Sequence, residues 1–200
     1  MGPQPTLILA SSSRYRRELL GRLRLPFEVR APEVDESPRP GEAPAALAQR
    51  LALAKARAVS ASWPDAVVIG SDQVAELDGL PIGKPGTHDR AVAQLRAMRG
   101  RSVVCHTAVA VLRASIGFAG TALVPVTVRL RDLSDAEIEH YLRTEQPYDC
   151  AGRAKCETLG IALLDSIASD DPTALVGLPL IRTSALLRAA GIDPLQPPAP

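Results

Sequence analysis

Apolar and polar residues follow two periods along this chain. Short apolar runs bounded by Gly, Ser, Pro or Asp predict strands; apolar residues three and four apart predict helices. The run LILA at residues 7–10 is the first strand, and Leu19, Leu20 and Leu23 mark the inward side of a helix over residues 14–24. Residues 27–31 predict a second strand. Residues 44–62 predict a long helix with Leu47, Leu51, Ala54 and Ala58 on its apolar face and Lys55 at the border. Val67-Val68-Ile69 predicts a buried strand ending at Asp72, and Asp78-Gly79 predicts a tight turn that folds it back. Thr87 caps a helix to Met98 that Gly100 ends. Residues 102–113 and 121–131 predict an antiparallel pair around Gly117 and Gly120. The capping box Ser134-Asp135-Ala136-Glu137 opens a helix with Ile138, Tyr141 and Leu142 on one side. An apolar strand follows Glu157, and Val176-Gly177-Leu178-Pro179 leads into a last helix with Pro179 in its first turn. No repeat or linker-like break interrupts this order, so the 200 residues predict one domain, with frayed ends at residues 1–5 and 194–200.

Composition narrows the function. A net charge of +1 and 3% aromatic residues give no bulk attraction for nucleic acid, and no apolar run is long enough to span a bilayer. The start lacks a signal-peptide pattern; Met1-Gly2 with Thr6 fits a loose myristoylation pattern that two prolines and an early strand argue against. Three cysteines without metal-ligand spacing favour a reducing cytoplasm. The basic residues are 20 Arg against 3 Lys. Arg and Lys differ in shape and hydration, so Lys55, Lys84 and Lys155 mark positions that favour a compact ammonium.

Three stretches carry candidate chemistry. In the first, Ser11-Ser12-Ser13 precedes a helix whose opening is crowded by Arg14, Arg16 and Arg17, where acidic residues are normally favoured. Hydroxyls, free N–H groups and guanidiniums together suit a polyphosphate; the plainer alternative is a solvated basic helix end. In the second, Glu33, Asp35 and Glu36 follow the second strand and offer oxygen ligands for Mg²⁺, or simply a solvated acidic loop. The third runs from residue 67 to residue 86. A carboxylate in a buried strand (Asp72), an amide (Gln73) and an ammonium (Lys84) share one hairpin, which suits a phosphorylated substrate. An isolated Asp72 and Lys84 would equally serve as a turn cap and its solvated partner. Further along, Asp149, Lys155 and Glu157 cluster in YDCAGRAKCETLGI.

Taken together, LILASSSRYRRELL, APEVDE, RLALAKA, IGSDQVAELDG with GKP, YDCAGRAKCETLGI and ALVGLPLI resemble the Maf family of nucleoside triphosphate pyrophosphatases, in family order over nearly the whole chain. The resemblance implies an α/β fold of the Maf/ITPase type: a long bent mixed sheet flanked by helices, with two lobes around a central cleft. It implies cleavage between the α- and β-phosphates with a divalent cation, Mg²⁺ or Mn²⁺. By match of motif, Asp72 would be the proton acceptor; Ser11, Ser13, Arg16, Lys55 and Lys84 would hold phosphates; and Glu36, with Asp72, would hold the metal. Tyr15, Gln73 and Glu157 resemble the 7-methyl-GTP pyrophosphatase branch and would select the base, although that branch often carries Trp where Tyr15 stands. An aromatic ring suits the cationic methylated purine, and a carboxylate accepts from its N–H donors. The rival readings are a pyrophosphatase preferring dTTP or UTP and a nucleotide-binding regulator of cell division. A homodimer is a family-level expectation.

Overall fold

A computed structural model describes residues 5–148 and 156–196. The expectations for Asp149 and Lys155, and most of those for frayed ends, lie outside the described residues. In chain order the elements are β1 (Leu7–Ala10), α1 (Arg14–Gly21), β2 (Glu28–Arg30), α2 (Pro44–Ser60), β3 (Val67–Leu77), β4 (Leu80–Ile82), α3 (His88–Met98), β5 (Ser102–Arg113), β6 (Phe118–Leu130), α4 (Asp135–Glu145), β7 (Leu164–Ala168) and α5 (Leu180–Ala189). The architecture is mixed α/β, as expected. Seven strands form one sheet in the order β2-β1-β3-β5-β6-β7, with β4 added to β3. β1 runs parallel to β2 and β3; every other pairing is antiparallel.

One face of the sheet carries Ile8, Ala10, Val68, Val74, Ala108 and Ala110 against α2. The other carries Leu9, Ile69, Val109 and Val111 against α1 and α5 at one end, and Ala75, Cys105 and Val126 against α3 and α4 at the other. Among the described residues no helix is long and apolar enough to cross a membrane.

Locally coded features form where expected. Asp78 (φ 55°) and Gly79 (φ 80°) make a hairpin turn with two left-handed residues. Thr87 caps α3, and Ser134 with Glu137 forms a full capping box on α4. Four expectations need correction. β3 does not end at Asp72; it continues to Leu77, because β5 pairs along it from Val68 to Glu76. The apolar run after Glu157 first curls into a 3₁₀ turn (Leu159–Leu163), burying Leu163 and leaving Leu159 and Ile161 exposed, before β7 begins. The helix at residues 14–24 stops at Gly21, and Arg24 turns left-handed (φ 57°).

The fourth correction matters most for the site. The buried stripe of α2 is Leu47, Ala48, Leu51, Ala52, Lys55, Ala56 and Val59, whereas Ala54 is half-buried and Ala58 exposed. Lys55 therefore lies inside the stripe. The cause is Gly70: a Cβ there would come within 2.2 Å of the Ala52 carbonyl oxygen and 2.6 Å of the Ala56 nitrogen. The helix rests its small residues on bare β3 backbone, and that closeness turns Lys55 towards the sheet.

Candidate active site

β1 pairs with β3 over Val67–Gly70 and β4 pairs with it over Ala75–Leu77. Between them, residues 71–74 have β5 on one side and, among the described residues, no strand on the other. Ser11–Ser13 and the start of α1 follow directly from the end of β1 at this slot. Side chains alternate across a strand, so Asp72 faces α2 while Ser71 and Gln73 face the opposite way.

On the α2 side, the Lys55 Nζ lies 2.6 Å from Asp72 Oδ1 and 2.7 Å from Glu36 Oε1. Lys55 is 5% exposed and Asp72 8%. Burying such charges is costly unless they are paired and hydrogen-bonded, a condition this pair meets. The Arg16 Nη2 stands 3.9 Å from the same Asp72 oxygen. The hydrogen bond from Lys55 and the nearest approach of Arg16 both fall on Asp72 Oδ1, and Oδ2 accepts no hydrogen bond from a described residue. Partial burial works to raise the Glu36 carboxyl, but the hydrogen bond and charge of Lys55, with the charges of Lys84 and Arg16, hold it below its ordinary value. Exposed Lys84 thus sits within electrostatic reach of the cluster. The loop behind Glu36 is fastened by Arg50, which donates to both Glu42 carboxylate oxygens (2.6 and 2.8 Å) and to the Ser37 carbonyl (2.9 Å).

At the mouth of the slot, the buried Ser11 Oγ accepts from the Ser13 N–H at 3.1 Å, and Ser13 Oγ caps α1 by accepting from the Arg16 N–H at 3.4 Å. The expected acidic metal loop does not assemble. Asp35 accepts from the Ser37 N–H, Glu33 is exposed, and Glu36, though its side chain is 60% exposed, reaches Lys55 with one oxygen. Among the described residues no group of three His, Cys, Asp or Glu is placed to hold a metal. The donor set that does converge, Glu36 and Asp72, fits Mg²⁺, which commonly takes one or two carboxylates and completes its shell with water and substrate phosphates.

Across the strand, Gln73 Nε2 donates to Thr107 Oγ1 (2.8 Å), the Ala174 carbonyl (3.0 Å) and the Leu175 carbonyl (3.1 Å). Its amide nitrogen is thus committed within the protein, and Oε1 is the atom of the expected amide contact that it can present. The Gly177 carbonyl accepts from Arg16 Nε (2.9 Å), and the single hydrogen of the Ser71 hydroxyl is shared between the carbonyls of Ala108 (2.7 Å) and Gly177 (3.0 Å). Arg16 therefore touches both sides of the slot. Tyr15 is partly buried; the Arg14 guanidinium lies 4.7 Å from its ring centroid and donates to its hydroxyl at 2.9 Å. Glu157 is exposed, and its carboxylate accepts from Cys156 Sγ at 3.3 Å.

The structure thus gathers Arg16, Glu36, Lys55 and Asp72 tightly, with Ser11, Ser13 and Lys84 around them, and sets Gln73 on the other face. Sequence reading missed Ser71, Thr107, Asp171 and the carbonyls of residues 174–177. Asp171-x-Thr173 is a side-chain turn signal that could have been noticed; main-chain carbonyls carry no side-chain signature.

A model of the Maf-like protein family matches residues 6–190. The chain is 68% identical over 186 residues to the 7-methyl-GTP pyrophosphatase of Polaromonas sp., covering 93% of this chain and 85% of that one. It is 67% identical over 192 residues to the 7-methyl-GTP pyrophosphatase of Albidiferax ferrireducens, covering 96% of each. Identity to the enzyme of the same name from Methylobacillus flagellatus is 59% over 189 residues, covering 94% of this chain and 98% of that one. With the family pattern spanning both sides of the slot and all of the sheet that frames it, the chain belongs to the Maf-like protein family.

Proposed function

We propose that this protein is a nucleoside triphosphate pyrophosphatase that hydrolyses 7-methyl-GTP to 7-methyl-GMP and diphosphate, removing a modified nucleotide. The observation that carries the chemistry is the buried Lys55 ammonium shared by Asp72 and Glu36, with Arg16 beside them. The curated relatives named above support the choice of substrate.

In this reading Asp72 accepts the proton of the attacking water on Oδ2, the oxygen that accepts no hydrogen bond from a described residue. Lys55 and Arg16 fix the carboxylate through Oδ1, so its orientation is set before substrate arrives. Arg16, Lys55 and Lys84, with the hydroxyls of Ser11 and Ser13, hold the phosphates and offset the charge that gathers on the departing diphosphate. The Lys55 ammonium has three N–H donors and the two carboxylates use two, so the third can meet a phosphate while the bond to Asp72 is kept. A divalent cation, Mg²⁺ or Mn²⁺, would be held by Glu36 and Asp72 and would supply further neutralisation of phosphate charge. Tyr15 would stack on the cationic base, Glu157 would accept from its N–H donors, and Gln73 would add an acceptor. A cytoplasmic location is part of the same reading, supported by three cysteines without metal-ligand spacing. A homodimer remains part of the proposal, to be read from size-exclusion chromatography with light scattering.

The test offers purified protein a panel of nucleoside triphosphates with Mg²⁺ or Mn²⁺ and follows diphosphate release. Preference for 7-methyl-GTP is expected. Preference for dTTP or UTP would overturn the substrate, and release of orthophosphate alone would overturn the bond cleaved.

A further inference from the structure

Asp171 is fully buried, and among the described residues no cation pairs with its carboxylate. Four donors surround it instead. Oδ1 accepts from the Thr173 N–H (3.2 Å) and the Thr173 hydroxyl (2.8 Å). Oδ2 accepts from the Ile181 N–H (2.7 Å) and the Arg182 N–H (3.3 Å). Those last two groups open α5, whose own capping position is Pro179, a residue with no side chain able to cap. Asp171 caps the helix from nine residues upstream, with its charge at the positive end of the dipole.

The segment between cap and helix is thereby folded into an arch. Thr173 Oγ1 also accepts from the Leu180 N–H at 2.7 Å and lies 2.9 Å from the Leu178 carbonyl; the Ala174 N–H returns to the Asp171 carbonyl at 3.0 Å. The outer side of this arch carries the three carbonyls already met at the slot. Ala174 and Leu175 receive Gln73 Nε2, Ala174 also receives the Thr107 hydroxyl, and Gly177 receives Arg16 Nε and Ser71 Oγ. We infer that Asp171 is a positioning residue for the cleft: by fixing the arch, it aims these carbonyls so that Gln73 is held with its amide nitrogen inward and its oxygen outward, while Arg16 is held within reach of Asp72. One buried carboxylate then governs both base selection and the phosphate grip. A flipped Gln73 would set its oxygen against two carbonyls and lose the bonds to both, keeping at most one from the Thr107 hydroxyl, so the orientation is a property of the arch. The ligand group that meets Gln73 must be a hydrogen-bond donor, as a guanine N–H is. This last point rests on the function proposed above.

The test uses Asp171→Asn and Thr173→Val in the full chain, with Ile138→Ala, on the buried face of α4, as a core-destabilised control. Asn can accept from only one of the two donor pairs, because its NH₂ meets the other. Thr173→Val leaves the bonds from Ile181 and Arg182 to Asp171 in place but unties the arch. Well below the melting temperature, both variants should raise KM for 7-methyl-GTP about tenfold and reduce its kcat/KM advantage over GTP at least about fivefold, with a smaller change in kcat. Hydrogen exchange of the Gln73 side-chain amide, followed by NMR without substrate, should quicken in both and stay slow in Ile138→Ala. If Asp171→Asn fails to fold, Thr173→Val decides. Loss of melting temperature with KM, discrimination and amide exchange all unchanged would make Asp171 a helix cap only and overturn the inference. A wild-type enzyme with no preference for 7-methyl-GTP would overturn the substrate reading alone, since the amide exchange still reports on the arch.

Discussion

The two faces of β3 at the slot hold their side chains by different means. Towards α2, formal charges of opposite sign meet one another: Lys55 between Asp72 and Glu36, with Arg16 nearby. Towards the arch, neutral groups meet main-chain carbonyls: Ser71, Gln73 and Thr107 all donate into residues 108 or 174–177. The difference suits the tasks. Charged partners can be exchanged for phosphates and a cation as substrate arrives, because each group finds a comparable replacement. Carbonyl partners are fixed by the fold and offer nothing to exchange, so the groups they hold keep one orientation and can discriminate. Arg16 belongs to both sides, its Nε on the Gly177 carbonyl and its Nη2 near Asp72.

Breaking the charged side should cost the most. Asp72→Asn removes the proton acceptor while keeping the shape; we expect kcat for diphosphate release to fall by about 10³-fold with the far-UV circular dichroism unchanged. Lys55→Met should come next. It leaves the buried Asp72 carboxylate with only the distant Arg16, and urea denaturation should show a loss of about 3 kcal/mol together with a large rise in KM. The carbonyl side should respond more mildly. Thr107→Val removes one hydroxyl between Gln73 and the Ala174 carbonyl, and should lower stability by about 1 kcal/mol while narrowing the preference among bases more than it lowers kcat. A Thr107→Val enzyme with intact base preference and reduced kcat would mean that the two faces do not divide the work this way.

The smallest effect concerns the loop that carries Glu36. Side-chain hydrogen bonds from Arg50, with the Arg39 N–H, hold the Glu42 carboxyl down to about 2. A carboxyl depressed in the folded state contributes stability that is present above its unfolded value, ~4.3, and is lost as pH falls through about 2. The urea midpoint of the wild type should therefore fall between those limits, and Glu42→Gln should flatten that part of the curve. Because Glu42 pairs with Arg50 and makes no hydrogen bond or ion pair to Lys55 or Asp72, activity at neutral pH should change little.

Much of the fold was legible along the chain because its causes are local. The Asp78-Gly79 turn, the Thr87 cap and the Ser134–Glu137 capping box each depend on residues within four positions of one another. The residues now gathered at the charged side had also been singled out: Arg16 by its awkward place at a helix start, Glu36 and Asp72 as acids beside strands, Lys55 as a retained lysine. Their partnership was less legible. Lys55 read as a border residue because the stripe on α2 was phased by its leucines, whereas the phase is set by the contact of Ala52 and Ala56 with Gly70.

What the amino-acid order settled by itself was the sequence of elements, their caps and turns, and which side chains were chemically capable of the reaction. Tertiary structure alone decided the rest. It extended β3 past Asp72, because a strand's length depends on the partner that satisfies its backbone, and β5 comes from about thirty residues away. It opened the slot, because β1 leaves at Gly70 and β4 arrives only at Ala75. It also sent Asp72 and Gln73, neighbours in the chain, to opposite faces, and supplied the second of them with carbonyls from a hundred residues downstream. Pairing edges and main-chain acceptors are chosen by long-range packing, and no periodicity within a single segment encodes them.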